Sequence, residues 1–228
     1  MMRALLRKEL LQVRRSRGAL VSGTLLPLLL LVILPASQVA TLRSVPEAAD
    51  AQGLLTGFLL PLMVALSGLV VPSVAATYTV VSEHERRTLQ LLMALPVQAA
   101  DLVRAKMLAM LVLAVCVAVP LFAVDGVAVV VLGLGDLAYV LELLVVLLAA
   151  LACSVCEALV LALLARDLRT TNNLNGALVT PVTLALVGIL LGAPPGVRLP
   201  LVAGLLALLG GIAYVVAARW LTFERYLA

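Results

Sequence analysis

The stretch LAYVLELLVVLLAALACSVCEALVLALLA, residues 137–165, decides the fold class of this chain. Its apolar character is interrupted by only two charged side chains, Glu142 near one end and Glu157 further along. A hydrocarbon core about 30 Å thick needs roughly 20 residues of α-helix, so the stretch is long enough to cross a bilayer. A strand would leave its backbone groups unpaired in lipid, whereas a helix pairs its own. The stretch therefore predicts a membrane-spanning helix.

The rest of the chain has the same character. Of its 228 residues, 64% are hydrophobic and only 12% are charged, and the mean hydropathy is +1.21. The alternation of apolar and polar residues over about ten positions that marks a membrane β-barrel is absent. We therefore expect an all-α integral membrane protein with a single transmembrane domain over residues 1–228. Its six predicted spans are approximately 18–40, 54–80, 105–125, 137–165, 175–193 and 199–220.

The basic residues gather on one side of these six spans. Of the 16 Lys and Arg residues, all but Arg43 and Arg198 fall in the two termini and in the second and fourth loops. The positive-inside bias then predicts a multi-pass protein of a bacterial-type inner (plasma) membrane with both termini in the cytoplasm. This asymmetry and attraction to the lipid bilayer account for the net charge of +4, so no nucleic-acid partner is expected. The predicted outer loops are short, at roughly 40–53, 125–136 and 193–198.

Residues 1–17 predict a helix that lies on the cytoplasmic surface of the membrane. Apolar residues recur there at helical spacing, with arginine and lysine elsewhere on the circumference. This pattern is typical of an interfacial helix. A basic tail that only sets the topology is the alternative.

The most conspicuous polar segment is residues 82–98, between the second and third predicted spans. Ser82 and Glu85 have the spacing of a capping box, which predicts that a short helix begins there. Pro96 ends this helix, because proline lacks a backbone N–H and biases the preceding residue away from helical geometry. The sequence therefore predicts a short capped cytoplasmic helix with an apolar stripe of Leu89, Leu92 and Met93.

This segment resembles a motif of the membrane permeases of type-2 ABC transporters, the ABC-2 family. Many members carry Glu-Arg-Glu-x-Gly-Thr-Leu-Glu-x-Leu-Leu-x-x-Pro-Val, then eight residues and a lysine. The N-terminal Leu5-Leu6-Arg7-Lys8-Glu9-Leu10 is also similar to the interfacial helix of the family. Arg87 stands at the glycine position of the motif, and His84 and Gln90 also depart from it. The matching residues are Glu83, Glu85, Thr88, Leu89, Leu92, Pro96, Val97 and Lys106.

The resemblance implies the permease subunit of an ATP-binding cassette exporter. Such a subunit pairs with a second permease copy or a related permease and docks on two copies of a separate ABC ATPase subunit. Substrate would pass between the two permeases, and the short helix of residues 82–98 would enter a groove of the ATPase as a coupling helix. The implied ATPase-coupling residues are Glu83, Glu85, Arg86, Arg87, Thr88, Leu89, Leu92, Met93 and Pro96.

The positions of the lysines predict that a separate protein hydrolyses ATP. Lys8 and Lys106 are the only two, and neither follows the glycine-rich loop that cradles phosphate in a Walker A motif. We therefore expect that the chain is not an enzyme and has no catalytic residues. It should bind no cofactor directly, and ATP and Mg should bind to the partner subunit.

Glu157 is the candidate residue for the substrate path. A carboxylate within a span costs about 2.5–3.5 kcal/mol on insertion scales, so it should face protein or water rather than lipid. The alternative is that Glu157 is protonated, or hydrogen-bonded to Ser154, Thr183 or a neighbouring span. Cys153 and Cys156 beside it do not predict a metal site, because a stable zinc site needs four ligands and no histidine accompanies them.

The fourth loop, residues 166–176, is the other polar cytoplasmic segment. It is a candidate secondary contact with the ATPase through Arg166, Arg169 and Asn172, and its Asn and Thr residues are candidate caps for the fifth span.

Other functions remain open at this stage. The small size also resembles the haem-exporter permeases of the same superfamily. A secondary carrier or channel would show inverted repeats or a charged pore, and no clear repeat is present. An intramembrane enzyme would need converging groups, but Glu142 and Glu157 lie about four turns apart on one predicted helix. A lipid, haem-like, peptide or drug substrate would suit the apolar spans equally well.

Overall fold

The computed structural model describes Leu29 and residues 52–70, 99–164 and 168–220, with side chains over 52–70, 107–161, 170 and 173–217. All regular structure in these residues is helical, which confirms the all-α class for this part of the chain. The predicted interfacial helix 1–17 and coupling segment 82–98 lie outside the described residues, as does the first span 18–40 apart from Leu29.

Five helices are described, and each contains a stretch long and apolar enough to cross a membrane. The mean hydropathy of these stretches lies between 2.0 and 2.8. The chain is therefore an α-helical membrane protein with five candidate spans in its described part. The helices are α1 (Gln52–Val70), α2 (Ala99–Val131), α3 (Leu137–Leu164), α4 (Leu168–Gly192) and α5 (Pro195–Trp220).

The C-terminal end of α2 differs from the sequence expectation. Asp125 was expected to begin an outer loop, but the helix continues to Val131 and leaves Asp125 only 7% exposed. The helix ends where Gly133 adopts φ +67°, a left-handed conformation that glycine accepts at little cost. Leu134 N–H donates to Val129 O at 3.0 Å and Gly133 N–H to Val130 O at 3.1 Å, the two bonds of a Schellman motif.

The turn between α2 and α3 passes directly into a helix cap. The carboxylate oxygen Oδ1 of Asp136 accepts a hydrogen bond from the backbone N–H of Tyr139 at 2.9 Å. This bond satisfies one of the N–H groups that have no partner at the start of a helix. Residues 132–136 alone therefore form the connection that was expected over 125–136.

The boundaries of α4 and α5 also differ from the expectation. The polar residues expected in the loop 166–176 form the first turns of α4, which begins at Leu168. Thr180 and Thr183 of the same helix donate their hydroxyls to the carbonyls four residues earlier, at 2.7 and 2.8 Å, so their polarity is satisfied within α4. α5 begins at Pro195, since proline at the first helical position loses no intrahelical bond.

α3 is the central helix of the described bundle. It packs against α2, α4 and α5, and 56% of its most apolar 18 residues are buried, against 11% for α4. Close backbone approach to α1 and α5 requires glycine. A Cβ on Gly68 of α1 would lie 2.5 Å from Ala150 Cβ, and one on Gly210 of α5 would lie 3.0 Å from Cys153 Cα. The core therefore forms around α3, with Leu143, Val146, Leu147, Ala150 and Leu151 all at most 1% exposed.

Candidate functional site

Glu157 lies near the C-terminal end of α3 and is half-buried. Its Oε1 atom accepts a hydrogen bond from Cys153 Sγ at 3.5 Å, one turn earlier on the same helix. Cys153 is the hydrogen-bond partner of this carboxylate among the described residues. A thiol is a weak donor, so the bond leaves most of the hydrogen-bonding capacity of Glu157 available to a further group.

The two hydroxyls expected as alternative partners of Glu157 are bonded elsewhere. Ser154 is fully buried and donates its hydroxyl to the carbonyl of Leu69 on α1. Thr183 donates to Val179 O within α4. Of the alternatives for Glu157, the structure shows neither the Ser154 nor the Thr183 bond, because each hydroxyl donates to a backbone carbonyl instead. The Ser154 bond holds α1 against α3 one turn away from Glu157.

The cysteines near Glu157 do not gather into a metal site. Over the part of the chain that the structure describes, no group of three or more His, Cys, Asp or Glu side chains could hold a metal ion. Cys153 is buried and Cys156 is half-buried, and both are free thiols. The surrounding apolar cluster joins α2, α3 and α5 through Met110, Val155, Ala158, Leu159 and Ala217.

The remaining predicted site residues can be placed only in part. Arg169 and Asn172 lie in the first turns of α4, but their side chains are not among those described. Arg166 lies outside the described residues. So do the predicted ATPase-coupling residues, from Glu83 to Pro96.

A second polar region lies at the opposite end of the bundle, near the N-terminus of α3. A cavity of about 290 Å³ opens there between α1, the turn after α2, α3 and α5. Its polar lining includes Thr56, Tyr139, Glu142 and Arg198. Charged residues thus occur at both ends of α3.

One wall of this cavity is a π-helical turn over Leu55–Leu59 in α1. In this geometry each carbonyl accepts from the N–H five residues later, as Leu55 O does from Leu60 N–H. The equivalent donor for Thr56 O would be Pro61, which has no N–H. The hydroxyl of Tyr139 donates to Thr56 O instead, at 2.5 Å. A bond between α1 and α3 thereby replaces one that proline removes.

Arg198 and Glu142 supply the charges of the cavity. Arg198 Nε donates to Ala193 O at 2.7 Å and so satisfies a carbonyl just beyond the end of α4. Its Nη1 atom lies over Gly57, where a Cβ would come within 3.0 Å of it. The Glu142 side chain is exposed to the cavity.

The sequence does not predict this cavity. Glu142 and Arg198 are 56 positions apart in the printed sequence, and each reads alone as a charge at a span end. One available signal was Pro61 inside a span, since it predicts an unpaired carbonyl one turn earlier that a donor from another helix must satisfy.

Two comparisons with known proteins bear on identity. No curated protein matches the chain. The model of a family described as "ABC-2 family transporter protein" matches residues 5–192, which covers most of the 228-residue sequence and ends where α4 ends. The matched region includes the segment whose motif resembles that family and four of the five described candidate spans. The chain belongs to the ABC-2 family of transporter proteins, as a membrane permease of that type.

Proposed function

We propose that the chain is the membrane-spanning subunit of an ATP-binding cassette exporter. In this proposal it lies in the inner membrane with both termini in the cytoplasm and works with a separate ATPase. The observation that carries the proposal is the family match over residues 5–192, which spans a bundle of apolar helices. The two lysines of the sequence, neither in a phosphate-binding loop, support assigning ATP hydrolysis and Mg binding to the partner.

Residues 82–98 are the proposed point of contact with the ATPase. α2 begins at Ala99, immediately after this segment, and continues as one helix to Val131. Its inner half packs through Met110 against the cluster that contains Val155 and Leu159 of α3. A displacement of the segment by the ATPase would therefore move α2 and, through this contact, the inner end of α3.

Glu157 is the proposed substrate-path residue because it lies on the part of α3 that this contact would move. Its single weak bond to Cys153 leaves it able to bind a polar or cationic group. Substrate would shift an inward–outward equilibrium only by its difference in affinity for the two states. Because the proposed movement of α2 changes the surroundings of the Glu157 carboxylate, the affinity of this carboxylate for substrate differs between the two states.

One exposed face of α4 is the proposed contact between two permease copies. α4 is the helix least covered by the described residues. Small residues and one proline recur on one face of it, all exposed, and a Cβ on Gly188 or Gly192 would meet no atom within 4 Å. Small residues at this spacing let transmembrane helices pack closely against a partner. The proposed interface with the second permease contains Pro181, Ala185, Gly188 and Gly192.

The test is co-purification of the chain with an ATP-binding cassette ATPase from an adjacent reading frame, which the proposal predicts. Deletion of residues 83–95 should abolish ATPase capture and the stimulation of its hydrolysis, while the membrane helices remain folded by circular dichroism. In the undeleted complex, Glu157→Gln should retain capture and reduce stimulated hydrolysis several-fold. Capture and stimulation that survive the deletion would overturn the proposed contact. Full stimulation and transport by Glu157→Gln would remove that residue from the path.

A further inference from the structure

The cavity at the N-terminal end of α3, which faces outward in the proposed topology, contains two opposite charges that do not pair with each other. It is called the outer cavity below. Arg198 uses Nε on Ala193 O, which leaves the N–H groups of its two terminal nitrogens for other acceptors. Glu142 is exposed and forms no hydrogen bond or ion pair with another described residue. The two neighbouring hydroxyls are already engaged, since Tyr139 donates to Thr56 O and Thr56 donates to Gln52 O at 3.0 Å. Arg198 and Glu142 are therefore the groups available to a ligand.

The cavity lies at the depth of lipid headgroups. Arg198 is three residues inside the candidate span Pro195–Ala217, and Glu142 is five residues inside Leu137–Leu161. At about 1.5 Å per residue, both positions are within roughly 8 Å of the outer ends of their helices. That depth is near the boundary between the hydrocarbon core and the polar interface. A molecule in the cavity can thus enter from the outer leaflet or from the water beyond it.

We propose that this cavity binds a small zwitterion, with the anionic group of the ligand on Arg198 and its ammonium group on Glu142. A guanidinium presents paired N–H donors to phosphate or carboxylate, and a carboxylate accepts hydrogen bonds from an ammonium. A volume of about 290 Å³ is at the lower end of ligand pockets. Leu134, Pro61 and Leu199 supply apolar walls for the short carbon chain that joins the two charges.

Two molecules share this chemistry. One is the headgroup of a zwitterionic phospholipid such as phosphatidylethanolamine, and the other is a free amino acid or free phosphoethanolamine from the outer water. The proposal does not depend on ATP-driven transport, since it concerns residues at the opposite end of α3 from Glu157. Its test therefore uses the full-length chain alone, and its outcome is independent of ATPase capture.

The first experiment places the chain in nanodiscs with equal amounts of phosphatidylethanolamine and phosphatidylglycerol. Both headgroups carry a phosphate, but only that of phosphatidylethanolamine carries an ammonium group. Native mass spectrometry then counts the lipids that remain bound. A lipid site predicts that phosphatidylethanolamine is enriched about tenfold, as expected for one charge-assisted hydrogen bond. Glu142→Gln should bring the two lipids to near parity, whereas Arg198→Gln should reduce the retention of both.

Tyr214→Phe is the control, because it removes a polar atom from an exposed side chain of α5 that does not line the cavity. It should leave the lipid ratio unchanged. Glu142 holds no other helix in place, so Glu142→Gln should fold normally even if Arg198→Gln does not. Arg198→Lys keeps the positive charge and should retain part of the lipid.

The second experiment separates the two sources of ligand. In nanodiscs of phosphatidylglycerol alone, free phosphoethanolamine or glycine is added and thermal unfolding is followed. Stabilisation that is lost in Glu142→Gln, without lipid enrichment in the first experiment, identifies a free solute as the ligand. If the wild-type chain shows neither lipid enrichment nor stabilisation, or if Glu142→Gln keeps whichever it shows, the two charges interact only with water and the proposal is overturned.

Discussion

α3 and α4 are apolar helices of similar length, 28 and 25 residues, yet their surroundings are opposite. The most apolar 18 residues of α3 are 56% buried, whereas those of α4 are 11% buried. Their mean hydropathies, 2.6 and 2.0, would let either helix face lipid. Lipid tails are as apolar as leucine, so hydropathy does not determine which helix becomes the centre of a membrane bundle.

The positions of the glycines explain the difference. A Cβ on Gly68 of α1 would lie 2.5 Å from Ala150 Cβ, and one on Gly210 of α5 would lie 3.0 Å from Cys153 Cα, so α3 would have to shift to accept a larger residue at either position. Gly188 and Gly192 of α4 face open space within the described structure. The first pair is used for packing inside this chain, and no described atom packs against the second pair. The following predictions test this contrast, from the largest expected effect to the smallest.

Gly68→Val should destabilise the bundle most. The new Cβ would lie 2.5 Å from Ala150 Cβ and 3.1 Å from the backbone oxygen of Leu147, which cannot move without shifting α3. Overpacking of this kind costs about 1–3 kcal/mol and occasionally more. We expect little monodisperse protein by size-exclusion chromatography. Gly53→Val, the same change on the same helix at an exposed position with no atom within 4 Å, should behave like the wild type. Equal yields of the two variants would contradict the close approach of α1 and α3.

Gly188→Leu should leave the fold intact and weaken the proposed dimer. The position is exposed, and a Cβ there would meet no described atom within 4 Å. In the dimer it would separate two backbones that small residues let approach. Single-molecule photobleaching in nanodiscs should show a shift from two copies to one. Gly204→Leu on α5, also exposed and open, is the control and should remain dimeric. A dimer unaffected by Gly188→Leu would place the interface elsewhere.

Tyr139→Phe should produce the smallest of the three effects. It removes the hydroxyl that satisfies Thr56 O, and the loss of a hydrogen bond beside a cavity that admits water costs about 0.5–1.5 kcal/mol. At roughly 2–4 °C per kcal/mol for a chain of this size, thermal unfolding should begin a few degrees lower. Tyr214→Phe deletes the same atom from an exposed side chain, 40% accessible, and should not shift unfolding. If the two variants unfold alike, the Tyr139 hydroxyl does not stabilise the contact between α1 and α3.

Some helix limits followed from the sequence and others did not. The span 137–165 was predicted almost to the residue, because α3 is apolar along its length and is bounded by Asp136 and Arg166. The sequence does not predict the end of α2, because Asp125 has the polarity of a loop residue. The packing of α2 on α3, where a Cβ on Gly126 would come within 2.8 Å of Val140, instead keeps the helix intact until Gly133. Polar residues in the first turns of α4 were likewise read as a loop, although a helix satisfies its own backbone whatever its side chains are.

The sequence by itself determined the class of the protein, the family and the approximate positions of the five candidate spans in the described residues. The need for apolar length and internal hydrogen bonds in lipid acts on each of these segments separately. Only the tertiary structure decided which helix is central, that Cys153 rather than Ser154 bonds Glu157, and that Tyr139, Glu142 and Arg198 share one cavity. These outcomes depend on side-chain size and hydrogen-bonding groups from segments far apart in the chain. The hydropathy of any one segment contains no information about them.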